Sequence, residues 1–462
     1  MPTGQAPTSG RLVIIYVLLF LLAFAHASID TFQYVSNQDL LAQTRRIASS
    51  TCQKYGSTVK LGESTKGAEI VALRLRKQGA QVALPKVKII GNLHGDEPTG
   101  RVFTLALAEW LCDNVGKDER ATTILSKVDL WLVPTVNPDG FANRRRGNAN
   151  DVDLNRDFPD RFSEGAQPNW LPEREDHQAE TKLIMDFIRR EGPFVSSLAI
   201  HEGALVANYP WDGSPDRSTS YQACPDDATF RDLATRYATK HRKMSLPSNE
   251  EFAKSKGITN GARWYPIYGS MQDWNYIVGD CMELTLEVSM NKWPDAALLP
   301  ELFEDNLPAM LEFVQRSAVE GFSGIVFGIH TNNRKAGKQN LPIPASVTVQ
   351  PSLMNTTTDA ATGTFYRPLA PGTYTVEVSA NGFKPKTMQV EMPEEGGLFL
   401  RVYLNMLPGT TLIVDQQEQF ESGVIIVVGV GLTVGGLYWI HMLLLNRSNG
   451  RSLMSSLKIL RR

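Results

Sequence analysis

The chain has 462 residues, too many for one average domain and enough for a large domain beside a small one. Hydrophobic content of 42% and charged content of 21% are ordinary for a globular protein. A formal net charge of -2 excludes a strongly basic chain and gives no sign of a nucleic-acid partner.

In chain order, Arg11 precedes the apolar run "LVIIYVLLFLLAFA", and "AHA" at 25–27 fits a small-residue cleavage site. This predicts a secretory signal peptide over residues 1–27, cut before Ser28. An uncleaved anchor is the alternative, and the run is short for one.

From 31 to 322, strand-like runs ("KVKIIGN", "VDLWLVPTV", "FVSSLAI", "CMELTLEV") alternate with stretches of helical period. "HQAETKLIMDFIRRE" and "LFEDNLPAMLEFVQRSA" are two such helices. The alternation predicts an α/β domain with a largely parallel or mixed sheet. From Ser323 to 406 the texture changes to short strands between Gly, Pro and Asn turns, as in "GTYTVEVSA" and "GLFLRVYLN". That is a small all-β module. Residues 407–423 are a polar link.

Residues 424–445, "VIIVVGVGLTVGGLYWIHMLLL", contain no Asp, Glu, Lys or Arg. As a helix they reach about 33 Å, enough to cross a bilayer. A buried core helix is the alternative, and the flanks oppose it. Acidic residues precede the run; Arg447, Arg451, Lys458, Arg461 and Arg462 follow it. The positive-inside rule makes 446–462 a cytoplasmic basic tail. The expectation is a single-pass type I membrane protein whose bulk lies in the lumen or outside the cell. Oligomeric state is not legible. Cys52, Cys112, Cys224 and Cys281 fall on that side and allow three disulfide pairings. Asn355 opens a glycosylation sequon, "NTT".

Chemistry concentrates at strand ends. "KVKII" runs into "GNLHGDEPTG", then into the helical "RVFTLALAEWL". His94 and Glu97 therefore sit on a strand-to-helix connection. Zinc hydrolases use three protein ligands, and two His with one Glu is a known set. A lone HxxE is weak evidence, so a third ligand is needed. Of seven histidines, His26 lies in the signal peptide, His441 in the apolar span and His330 in the β module. His177 and His241 are expected on solvated helical faces. His201 remains, directly after "FVSSLAI". Ligands gather beyond the carboxyl ends of strands in open α/β sheets, so His201 can meet His94. A core histidine satisfied by a carbonyl is the alternative. Glu287 in "CMELTLEV" is a candidate general base if its strand is buried.

The blocks "GNLHGDEPTGR", "NPDGF", "DVDLNRDFPD", "LVANYPWD", "GITNGARWYPIYGSMQDWNY" and "LTLEVS" carry a family likeness. The chain resembles the metallocarboxypeptidases, in the regulatory branch that acts on basic C-termini. The resemblance continues into the β module, which is similar to that branch's transthyretin-like domain. It implies a mixed eight-stranded sheet flanked by helices, a β-sandwich after it, and one zinc ion. It implies His94, Glu97 and His201 as zinc ligands and Glu287 as general base and acid. Arg146 would stabilise the oxyanion, and Tyr265 would close over the substrate. Asn155 and Arg156 would clamp the terminal carboxylate, a task that suits the bidentate fork of Arg. Asp153 would orient a zinc-binding His. Asp212 and Gln272 would form the pocket for a C-terminal Lys or Arg side chain. Peptides and proteins ending in Arg or Lys are then the implied partners.

Two positions depart from the family pattern. Glu202 follows the second His where a small residue is usual, and Asp157 replaces an Asn in "NRDF". Both would add negative charge near the site. A peptide-binding receptor without activity is the alternative function, but such relatives lack a ligand or the base. A zinc deacylase or cytosolic deglutamylase is disfavoured by the signal peptide, the β module and Asp212.

Overall fold

A computed structural model of the chain describes residues 31–80, 83–168, 170–331 and 338–408, with short segments at 424–426, 443–446 and 453–454. The expected signal peptide lies outside the described residues.

The first layer is an eight-stranded mixed sheet. Its strands are β1 (Gly56–Glu63), β2 (Glu69–Leu75), β3 (Lys86–Gly91), β4 (Asp129–Val133), β5 (Ser196–His201), β6 (Ala204–Tyr209), β7 (Ile258–Asn260) and β8 (Met282–Ser289). Their order is β1-β2-β4-β3-β5-β8-β6-β7. The centre, β4-β3-β5-β8, is parallel, so four carboxyl ends open on one edge. β4 and β8 are buried at every position, as expected of strands covered on both faces. Helix α1 (Asn37–Ser49) packs on β1 and β2, and helix α2 (Thr99–Asn114) on β3 and β4. The expected helices are present as α3 (Ala179–Glu191) and α4 (Leu299–Val314). The core joins Trp131, Phe187, Phe194, Leu198 and Leu284, each 0% exposed.

Of the three disulfide pairings open to the sequence, the structure forms Cys52–Cys112, with Cα atoms 5.3 Å apart. It ties the turn after α1 to the last turn of α2. Closing a loop over 60 residues contributes about 4 kcal/mol in the chain-entropy view. Cys224 and Cys281 are buried free thiols.

The β module follows as two four-stranded sheets. One is built on β9 (Phe322–Thr331), which pairs with β10 (Lys338–Pro342), β13 (Thr364–Arg367) and, in parallel, β16 (Leu398–Asn405). The other has the order β12-β11-β14-β15, from Thr356–Thr357, Ser346–Gln350, Gly372–Ser379 and Lys386–Met392. Alternate residues such as Val347, Val349, Val376 and Val378 fill the space between them.

The C-terminal segment differs from expectation where it is described. Val424–Ile426, Leu443–Asn446 and Leu453–Met454 pair as an antiparallel ladder. Cross-strand bonds take up backbone groups that a membrane helix would satisfy along its own axis. The two described ends of the stretch 424–445 are therefore strands, and 427–442 lies outside the described residues. Among the described residues no helix is long and apolar enough to cross a membrane.

Candidate metal centre and substrate cavity

The site is assembled from the carboxyl edge of the sheet. After β3, Asn92 adopts a left-handed φ of 55°. Its Nδ2 donates to the carbonyls of His94 (2.7 Å) and Glu97 (3.2 Å), and its Oδ1 accepts from Thr135 Oγ1 (2.8 Å). One buried amide thus shapes the whole turn. Gly95 sits against the "NPDG" loop so closely that a Cβ there would lie 2.1 Å from the Gly140 carbonyl carbon. This contact, with Gly95 N donating to Arg146 O (3.1 Å), brings the Arg146 loop onto the His94 loop.

His94, Glu97 and His201 meet. Glu97 Oε2 is 2.9 Å from His94 Nδ1 and 2.9 Å from His201 Nδ1. The two Nδ1 atoms are 3.1 Å apart. All three side chains are buried. Donor atoms about 2.0–2.1 Å from a zinc ion in tetrahedral array are roughly 3.3 Å from one another, so this triangle fits a metal. Behind it, His94 Nε2 is 3.0 Å from Asp153 Oδ1. A carboxylate there fixes which ring nitrogen carries the proton and turns the other toward the metal position.

The electrostatics follow from crowding. Burial opposes ionisation of Glu97, but the charge of His94 and hydrogen bonds from both histidines hold its carboxyl well below the usual range. Burial also opposes Asp153, and the hydrogen bond to His94 with the charges of His94 and Arg146 keeps it low. Glu287, the register partner of His201 across β5 and β8, is pushed up to about 8 by burial and by the charge of Glu97. Its Oε2 is buried and makes no hydrogen bond to the described residues. A dication at the triangle would draw the Glu287 carboxyl back down.

A cavity of about 160 Å³ opens on this triangle. Arg146, Asn155, Arg156, Asp212, Tyr265 and Glu287 line it with the three metal-site residues. Arg146 donates through Nη1 to Glu97 Oε1 (3.1 Å) and through Nε to Asp153 Oδ2 (2.9 Å). Asn155 is held by Met271 N, which donates to its Oδ1 (2.9 Å). Tyr265 stands at the rim, 45% exposed. Gln272 stands behind the wall and donates from Nε2 to Asp212 Oδ1 (3.0 Å). Gly261 approaches Asp212 so closely that a Cβ would lie 2.0 Å from its Oδ1, so any side chain there would fill the pocket floor. Asn355 lies far along the chain in the β module, exposed beside β12.

Several expectations change. His177 and His241 are buried, not solvated. His177 Nδ1 lies 3.4 Å from Asp157 Oδ1, and His241 Nδ1 accepts from the amides of Lys243 and Met244. Asp157 therefore spends its charge on His177, Arg174 (3.2 Å) and the Gln178 amide (2.7 Å), away from the cavity. Glu202 lines the cavity, but burial and the charge of Glu97 raise its carboxyl well above the usual range. It accepts from the Thr99 amide at the start of α2.

Sequence reasoning missed Lys292. Its ammonium donates to Glu97 Oε1 (2.8 Å) and lies 3.9 Å from Asp96 Oδ2. "NKW" carries no signal of this, because the contact joins residues 195 apart.

Comparison with known proteins agrees with the geometry. The family model described as zinc carboxypeptidase matches residues 45–309. The chain is 43% identical to carboxypeptidase SOL1 of Arabidopsis thaliana over 78% of this chain and 70% of the relative. It is 35% identical to carboxypeptidase E of Caenorhabditis elegans over 72% of this chain and 78% of the relative. Among solved structures, carboxypeptidase A from Helicoverpa armigera superposes with a TM-score of 0.51 at 16% identity, over 67% of this chain and 81% of that one. That likeness speaks for the fold alone.

Proposed function

The chain belongs to the zinc carboxypeptidase family, in its regulatory branch, and from that premise we propose that it releases C-terminal arginine or lysine from peptides and proteins. The observation that carries the specificity is Asp212. Its carboxyl is 1% exposed and lines the same cavity as His94, Glu97, His201 and Glu287. A carboxylate in a poorly hydrated pocket attracts a guanidinium or ammonium far more strongly than water-exposed charges attract one another. Burial raises the Asp212 carboxyl, and a bound cation is the partner that would ionise it fully.

The chain's own groups divide the work. Arg156 and Asn155 bind the terminal carboxylate. That sets the distance between the chain end and the attacked bond, which is what makes an exopeptidase. His94, Glu97 and His201 would hold zinc, which polarises a carbonyl and lowers the proton affinity of water. Glu287 takes the proton of the attacking water and delivers it to the leaving amine. Arg146 donates to negative charge that develops on the carbonyl oxygen. Tyr265, at the rim, excludes water once a peptide is seated.

We place this activity in the secretory lumen or outside the cell. The Cys52–Cys112 disulfide and the N-terminal apolar run support that compartment. Membrane attachment through 424–445 rests on the uncharged sequence with its basic flank. The test is release of Arg, Lys and Phe from matched peptides by the zinc-loaded protein. Arg and Lys should be released with at least about 30-fold higher kcat/KM than Phe, a gap of roughly 2 kcal/mol. Equal release of Phe would remove the basic specificity, and no release at all would remove the activity.

A further inference from the structure

The β module reaches the pocket floor through a chain of buried polar contacts. Arg367, on β13, is 1% exposed, and its Nη2 donates to Asp226 Oδ1 (2.6 Å). Ser352, also in the module, donates from Oγ to Asp226 Oδ2 (2.6 Å) and accepts from Arg367 Nη2 (2.6 Å). Asp226 belongs to the α/β layer, and its Oδ2 accepts from Tyr276 OH (2.6 Å). Tyr276 OH in turn accepts from the Asp226 amide (3.2 Å).

Tyr276 sits on a short helix, α5 (Met271–Ile277). The first turn of the same helix carries two of the groups that hold Asp212, beside Asn208 Nδ2 on β6, which donates to Asp212 Oδ1 (3.2 Å). Gln272 Nε2 donates to Asp212 Oδ1 (3.0 Å), and Asp273 Oδ1 accepts from Asp212 N (3.0 Å). Tyr276 makes a second connection. Its ring packs on Trp211, the residue before Asp212, with centroids 5.1 Å apart. Helix α5 is thus seized at one end by the β module and grips the pocket carboxylate at the other. A seven-residue helix has little stability of its own, so its place is set by such external contacts.

We propose that the β module is a positioning element for the basic side-chain pocket, acting through Arg367, Asp226 and Tyr276 on the Gln272–Asp212 pair. Tyr276 is a positioning residue: it touches no substrate and sets where helix α5 presents Gln272 and Asp273. This rests on the proposed preference for C-terminal Arg or Lys.

The experiment compares hydrolysis of matched peptides ending in Arg and Phe by full-length protein. The variants are wild type, Tyr276→Phe, the charge-neutral double variant Arg367→Met/Asp226→Asn, and Arg316→Met. Tyr276→Phe keeps the ring on Trp211 and removes only the hydroxyl. Arg316 is the control. It is 2% exposed and bonds Asp232, Gly396 O and Leu369 O, tying the same two layers together without touching α5. Tyr276→Phe and the double variant should raise KM for the Arg peptide about threefold to tenfold, with kcat, bound zinc and the Phe peptide little changed. Arg316→Met should lower Tm and leave both KM values in place. If KM for Arg moves no more in Tyr276→Phe than in Arg316→Met, or if Arg and Phe peptides weaken together, the inference is overturned. A wild-type protein without Arg preference overturns the specificity reading first, and this inference with it.

Discussion

His201 Nδ1 stands 3.1 Å from His94 Nδ1, although the two residues are 107 apart in sequence. Glu97 Oε2 closes the triangle at 2.9 Å from each ring. Two imidazole nitrogens so close converge on one carboxylate oxygen. A dication at the triangle would relieve that crowding.

Glu287 is the first residue to test. Glu287→Gln keeps the size and removes the proton acceptor. Bound zinc should stay at one per chain while kcat falls about 100-fold to 10,000-fold, the usual range for general acid–base groups. Metal analysis and peptide hydrolysis on one preparation decide it. Residual activity near wild type would sink the assignment.

Asp153 should matter through metal affinity. Its Oδ1 is 3.0 Å from His94 Nε2, and Arg146 holds its other oxygen. Asp153→Asn should weaken zinc binding about 10-fold to 100-fold, the range for residues that orient a metal-binding His. Titration of bound zinc with a competing chelator measures it. Unchanged affinity would mean that Asp153 serves only Arg146.

Asp212→Ala should abolish the basic selectivity. Removing the buried partner of a substrate cation costs roughly 2–5 kcal/mol, so kcat/KM for an Arg peptide should fall about 30-fold or more. A Phe peptide should change little or improve. An equal fall for both peptides would show that the change damaged the cavity as a whole.

The buried His241 gives a pH prediction away from the metal. Burial lowers its pKa from 6.5 to about 4. Below pH 6.5 the unfolded chain takes up a proton at His241 and the folded chain does not, so stability falls as pH drops toward 4. The loss amounts to about 3 kcal/mol by linkage and is absent above pH 7.5. His241→Asn keeps an acceptor for the Lys243 and Met244 amides but does not titrate. Urea unfolding from pH 7.5 to 4.5 should show wild type losing stability relative to this variant. Parallel curves would refute the shift.

The α/β layer and the β module were legible because period is local. β4, β8 and β16 show their burial patterns in runs of five to eight residues. The site was legible for a related reason. Ligands beyond strand ends announce themselves as polar residues that interrupt apolar runs, as His94 and His201 do after "KVKII" and "FVSSLAI". His177 and His241 were misread because their sequence neighbours are polar. Their burial comes from chain segments the neighbours do not reveal.

By itself the sequence determined the order of the two β-containing layers and placed His94, Glu97, His201 and Glu287 at strand ends as candidates. These depend on short-range periodicity, whereas the pocket residues Asp212 and Gln272 were implied by the family resemblance of contiguous blocks. Only the tertiary structure decided that Cys52 pairs with Cys112, that Lys292 caps Glu97, and that Arg367 reaches helix α5 through Asp226 and Tyr276. Each of these joins residues 50 or more positions apart. The free energy of such contacts depends on distance and burial in space, and no local pattern in the chain encodes either.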